Sequence, residues 1–176
     1  MKTIEEIDAQ LTPIRTEMVS LSARLSFNYV CELADEDTIA KQTYMGIYLI
    51  EIHTPGRNED FESWVATFRT EWDLPEYKKK FTCTTKDKRI GRHGVLEEWM
   101  PLYIGKSKKV GSRVGEHLSL PLEARTFALK IRSRPNMSPR RFRLHTIPLN
   151  IQNYDLIAPS IERELRDRLN PLVGKQ

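Results

Sequence analysis

At 176 residues the chain is long enough for one domain with a sizeable core and modest additions. With 30% charged and 39% hydrophobic residues, and no apolar run near the ~18 residues that cross a bilayer, it reads as a soluble globular protein without membrane spans. Two cysteines, Cys31 and Cys83, with no CxxC pair argue against a disulfide framework or a cysteine zinc site. The start lacks a basic-then-apolar secretory leader, so a cytoplasmic location is expected.

In chain order, residues 3–29 place Ile4, Ile7, Leu11, Ile14, Met18, Leu21 and Leu25 at helical spacing, with Pro13 kinking or splitting the helix. Residues 35–38 read as a loop. Residues 44–53 (YMGIYLIEIH) form a buried strand, and 54–58 a turn. Phe61, Trp64, Val65, Phe68 and Trp72 then fall on one helical face ahead of Pro75. The basic segment 78–92 reads as a strand and loop. A second strand spans 95–104, where Pro101 implies an edge or a bulge. Helices follow at 108–118 and 122–131, then a Pro-rich loop at 133–139, a third strand at 142–149 and a helix at 160–169 stopped by Pro171. The fold class is therefore α+β, a three-stranded sheet flanked by helices. Residues 1–40 form an N-terminal helical extension to a domain over 41–176. That domain carries an insertion at about 53–101, between its first two strands.

The net charge of +4 is unevenly spread. Residues 1–40 carry three basic and eight acidic residues, leaving +9 for the remainder. One basic stretch includes Lys78, Lys80, Arg89 and Arg92; the other, 125–143, includes Lys130, Arg132, Arg140, Arg141 and Arg143 and no acid. Such asymmetry points to a polyanion. The four histidines show no zinc spacing, and no Walker-type loop is present, so no nucleotide cofactor is expected. The ExK of Glu76-Tyr77-Lys78 is expected by chance in so charged a chain.

Three short pieces carry the chemistry. Gly46-Ile47-Tyr48 lies in the first strand. Tyr103-Ile104-Gly105-Lys106-Ser107 ends the second, followed by Arg113 and His117, an i, i+4 pair that shares one helix face. Glu162 lies on the last helix, followed by Leu165, Leu169 and Pro171. Singly, each has an ordinary explanation: a core tyrosine, a strand end, a surface pair, a carboxylate near a helix start. In this order and spacing they resemble the GIY-YIG nuclease superfamily. Its members carry GIY and YIG on neighbouring strands, an arginine ten residues after the YIG tyrosine, in some cases a histidine four residues later, and a metal-binding glutamate on the final helix.

The resemblance implies a Mg²⁺-dependent endonuclease that hydrolyses DNA phosphodiester bonds, with Mn²⁺ able to substitute. Glu162 would hold the metal, which keeps water and phosphate oxygens in its other positions. Arg113 would bind phosphate, and Tyr48 would be the general base. Tyr103 would orient water or phosphate, Lys106 would lower the Tyr48 pKa or bind phosphate, and His117 would bind phosphate or relay a proton. Departures are roughly fifty residues between GIY and YIG, Gly174 where the family has asparagine, and Arg166 at an often apolar position. Small members with insertions include type II restriction enzymes, which is the expected role. The alternatives are a phage or repair endonuclease of loose specificity and a DNA-binding protein without catalysis. DNA recognition is expected from the N-terminal helix, the insertion (Lys78, Lys80, Arg89, Arg92) and the 125–143 stretch. An enzyme acting on a palindrome would be a homodimer. The stripe of the first helix serves either as that contact or as packing against the chain's own core.

Overall fold

The computed structural model describes residues 2–175. The fold is α+β, built on a four-stranded antiparallel sheet, β1 (Asn28–Glu32), β5 (Phe142–Pro148), β2 (Gly46–His53) and β4 (Trp99–Ser107) in that order, with a separate two-stranded ribbon of β3 (Thr84–Thr85) and β6 (Val173–Gly174). The central strand β2 (Gly46–His53) is buried from Gly46 to Ile50. It lacks the apolar–polar alternation of a half-exposed strand because both faces of the sheet are covered. On one face Tyr48, Ile50 and Ile52 join α3 (Phe61–Trp72) and α5 (Val110–Ser119) in the larger core. On the other, Ile47, Leu49, Ile104 and Ile147 meet Tyr154, Ala158, Ile161 and Leu165 of α6 (Tyr154–Leu169). Each fully buried aliphatic side chain here contributes roughly 1.5–3 kcal/mol.

β4 (Trp99–Ser107) pairs with β2 so that Tyr48 lies opposite Gly105 and Ile50 opposite Tyr103. The register then slips, leaving Leu102 as a bulge beside Pro101. Pro101 thus occupies the edge strand next to a bulge, the two settings its missing N–H tolerates. β5 (Phe142–Pro148) covers the other side of β2.

The expected sheet of three strands has a fourth, β1 (Asn28–Glu32), paired with β5. α1 (Ile4–Arg24) stops at an extended Leu25, earlier than the apolar periodicity implied. Arg168 of α6 donates to the carbonyls of Ser22, Ala23 and Leu25, closing the helix end with a cation. Thr3 and Glu6 form a capping box at its start, and Pro13 lies within it without splitting it. Residues 35–38, expected as a loop, begin α2 (Glu36–Ala40), with Asp35 accepting from the Thr38 amide as N-cap.

The expected helix at 122–131 does not form. Its polar groups are taken by side chains. His117 accepts from the Leu129 amide, and the Lys130 ammonium binds the carbonyls of Leu122 and Ala124, both at 2.8 Å. Lys130 itself is left-handed (φ 56°), which stops a helix from continuing. α6 begins six residues before the expected Ser160 and runs through Pro159.

Residues 53–101 carry the expected helix α3; within 78–92, read as a strand and loop, the strand β3 (Thr84–Thr85) is only two residues long and is followed by the helical turn α4 (Asp87–Ile90). The apolar face of α3 shares one core with Tyr48 and Ile50. Arg134 joins this segment to the 129–137 loop. It lies buried between Trp72 and Tyr77 and donates to the carbonyls of Leu129 (3.0 Å) and Trp72 (2.5 Å). The Trp72 carbonyl ends α3, so the cation sits at the negative pole of the helix. Burial lowers the Arg134 pKa to about 10. No helix among the described residues is long and apolar enough to cross a membrane.

Candidate active site

Strand pairing brings the first two sequence pieces into register. The antiparallel alignment of Gly46-Ile47-Tyr48 with Gly105-Lys106-Ser107 places the Tyr48 and Tyr103 rings stacked at 6.2 Å. Both glycines are required by close approach. A Cβ on Gly105 would lie 2.3 Å from the Tyr48 oxygen and 2.9 Å from the Tyr103 ring, and one on Gly46 would lie 2.6 Å from the Ile147 carbonyl.

Alternation along β4 then divides the site. Tyr103 and Gly105 face the side of Tyr48 and α5. Lys106, with Ile104, faces α6, where Glu162 awaits it at 2.9 Å. Tyr48, Tyr103, Gly105, Lys106, Arg113 and Glu162 therefore wrap around the edge strand and line one cleft of about 460 Å³. The same cleft receives Arg89 of α4, Arg166 of α6 and Lys175 beside β6 (Val173–Gly174). Five cations thus converge on one carboxylate.

His117 is fully buried beneath the cleft. Its Nδ1 accepts from the Leu129 amide at 3.0 Å, and its Nε2 lies 2.8 Å from the Tyr48 oxygen. Burial, with Arg113 and Lys175 nearby, holds its pKa well below the usual value, so the ring is neutral. A neutral ring has one N–H, and an Nδ1 that accepts cannot carry it. The proton is therefore on Nε2, and His117 donates to Tyr48. The Tyr48 hydroxyl proton cannot pass to that nitrogen; it is directed elsewhere.

Burial raises the pKa of Tyr48 well above that of a free tyrosine, with Tyr103 and Glu162 acting in the same sense. Arg113 opposes this through charge and a hydrogen bond but does not outweigh it. The expectation that the neighbouring cations depress this value is therefore not met by the protein's own groups; desolvation dominates. Tyr103 is raised for the same reason. Arg113 is anchored by Glu116 on its own helix and by the Phe127 carbonyl, which leaves its remaining edge toward Tyr48 and the cleft.

Glu162 is nearly buried and held by Lys106, with Arg166 at 3.6 Å. Among the described residues no group of three His, Cys, Asp or Glu side chains forms a metal cluster. A single carboxylate facing an open cleft still suits Mg²⁺, a hard cation that retains several waters and takes other ligands from a phosphate.

The outer basic residues are placed differently. Lys78, Lys80 and Arg92 are exposed, and Arg92 donates to Asn170 at 3.2 Å. Within 125–143, Arg132 pairs with Glu36, Arg140 with Glu71 at 2.5 Å, Arg141 with Glu32 and Arg143 with Glu51 at 2.6 Å. Acids distant in sequence thus offset a run that contains none. Lys130 must be withdrawn from the nucleic-acid-binding set, because its ammonium is turned inward onto carbonyls and the residue is fully buried. Two cleft residues were not foreseen as site residues. Arg166 lies one helical turn after Glu162, so i, i+4 spacing signals it. Lys175 reaches the cleft only through the pairing of β6 with β3, which leaves no local signature.

No family model, curated protein sequence or solved structure matches the chain.

Proposed function

We propose that the chain is a Mg²⁺-dependent endonuclease of the GIY-YIG type, acting on DNA as a sequence-specific restriction enzyme. The observation that carries the reading is the meeting of Tyr48, Tyr103, Lys106, Arg113 and Glu162 in one cleft, from segments more than a hundred residues apart in sequence, with His117 bonded to Tyr48 from below. Nothing in the local secondary structure requires that meeting. A cleft holding Arg89, Lys106, Arg113, Arg166 and Lys175 favours an anionic ligand, and a phosphodiester matches the fork of Arg113.

In this reading Arg113 binds non-bridging phosphate oxygens and neutralises charge that develops there; one preorganised donor of this kind contributes on the order of 10²–10³ in rate. Tyr48, fixed by the His117 N–H, takes a proton from the attacking water in its ionised form. Because burial keeps that form scarce, the rate rises with pH across the neutral range. Tyr103 orients water or phosphate. Lys106, held 2.9 Å from Glu162, lies in the same cleft and offers a second cation to phosphate. Bound Mg²⁺ would supply Lewis-acid stabilisation of the leaving oxygen at Glu162.

The test is incubation with supercoiled plasmid and a large linear DNA in Mg²⁺, beside Glu162→Ala and an EDTA control. Discrete fragments from the wild type alone support a site-specific nuclease. A smear under limiting enzyme replaces restriction by loose specificity. Binding without cleavage of any substrate replaces it by a non-catalytic DNA-binding protein.

A further inference from the structure

The first helix ends against the body but is otherwise bare. Met18 is half-buried, Ser22 is buried, and Leu25 packs against the α6 core. Before them, Ile4, Ile7, Leu11 and Ile14 are 82%, 47%, 43% and 49% exposed, and Leu21 is 44% exposed. These side chains belong to one stripe: Ile4, Ile7, Leu11, Ile14, Met18 and Leu21 alternate by three and four residues. That is the a/d repeat of a coiled coil over three heptads, too regular for a helix that packs only at one end. Pro13 falls on the outer side of the repeat.

We propose that α1 forms an antiparallel two-stranded coiled coil with α1 of a second copy of the chain. In the antiparallel register Ile4 faces the partner's Leu21, Ile7 the partner's Met18 and Leu11 the partner's Ile14. All six layers are then apolar. The flanking positions decide orientation. Antiparallel pairing sets Asp8 against the partner's Arg15, and Arg15 against the partner's Asp8. Parallel pairing sets Asp8 against Thr3 and Arg15 against Gln10, with no opposite charges facing. Antiparallel packing also places the two bodies at opposite ends of a helix about 31 Å long, whereas parallel packing brings both to the same end. The helix carries Glu5, Glu6, Asp8 and Glu17 against Arg15 and Arg24, so its net charge disfavours DNA or an anionic membrane as the occupant.

This inference stands apart from the nuclease reading, because its readout is the oligomeric state of the full chain. Sedimentation equilibrium should give a dimer. Asp8→Arg sets two arginine pairs face to face and should weaken it by about tenfold in Kd. Adding Arg15→Asp should restore the affinity. Circular dichroism establishes that each variant folds. When Leu11→Cys and Ile14→Cys proteins are mixed and oxidised, the mixed disulfide should dominate. A monomer at about 100 μM, a dimer insensitive to Asp8→Arg, or self-linking of Leu11→Cys alone would each overturn the proposal.

Discussion

Replacing His117 by glutamine and, separately, by asparagine separates its two hydrogen bonds. Glutamine retains a donor near the Nε2 position, within reach of the Tyr48 oxygen 2.8 Å away, but loses the acceptor for the Leu129 amide. Asparagine retains an acceptor near Nδ1 and loses the contact with Tyr48. Leu129 is fully buried, so an orphaned amide there costs about 1–3 kcal/mol. His117→Gln should lose that much in urea denaturation yet keep cleavage within about tenfold, since the donor to Tyr48 survives. His117→Asn should retain more stability and lose about 10²–10³ in cleavage rate, the cost of one preorganised donor. Stability against pH adds a second readout. The ring is buried neutral with a depressed pKa, so the unfolded chain binds the extra proton. Stability is then fully present above the unfolded value and lost as pH falls. The wild type should weaken by about 1 kcal/mol between pH 6.5 and 5.5 from this group, and both variants should lack that share. If His117 instead shuttled protons, both variants would lose activity equally, and a His117→Gln protein as inactive as His117→Asn would refute the tautomer argument.

The other expectations follow from single contacts. Gly105→Ala should abolish cleavage while the chain still folds, because the added carbon collides with both tyrosines; plasmid cleavage beside a thermal melt tests it. Arg134→Met should destabilise by about 3 kcal/mol in urea, as two buried carbonyls lose a charged donor. The logarithm of the single-turnover cleavage rate should climb by close to one per pH unit from neutral upward, since the Tyr48 pKa lies above the range scanned; a flat profile would rule out Tyr48 as the base. Lys175→Ala and Arg166→Ala should weaken DNA binding and flatten its salt dependence more than Arg132→Ala or Arg141→Ala. The latter two arginines already face Glu36 and Glu32.

Strong periodicity made the central elements legible. The apolar run at Gly46–His53 and the α3 face appear where their patterns place them, and the final helix ends where expected though it starts a turn and a half earlier, because burial on a fixed face leaves a period in the sequence. Tyr48, Tyr103, Arg113 and Glu162 were singled out by their resemblance in order and spacing to a known family pattern, and they line one cleft. The failures share a physical origin in long-range partners. The strand Asn28–Glu32 exists because β5 offers it an edge. Residues 122–131 lose their helix because the Leu129 amide donates to His117 and Lys130 donates to the Leu122 carbonyl, and Lys130 changes from a surface charge to a buried strut. Lys175 joins the cleft through a two-residue ribbon whose other half lies some ninety residues earlier. The neutral, donating state of His117 depends on the Leu129 amide, a main-chain group that no side-chain pattern reveals.

The slips of register on the two outer strands have a consequence for aggregation. An open sheet exposes unpaired amides and carbonyls along both margins, a template onto which any extended chain can add. Here β1 carries an extra residue at Val30, and β4 carries one at Leu102 beside Pro101, which has no amide to offer. Each irregularity bends its margin and interrupts the ladder a foreign strand would need. Chains meeting through these margins would find no continuous register, and an extended segment laid against either one would lose its pairing within a few residues.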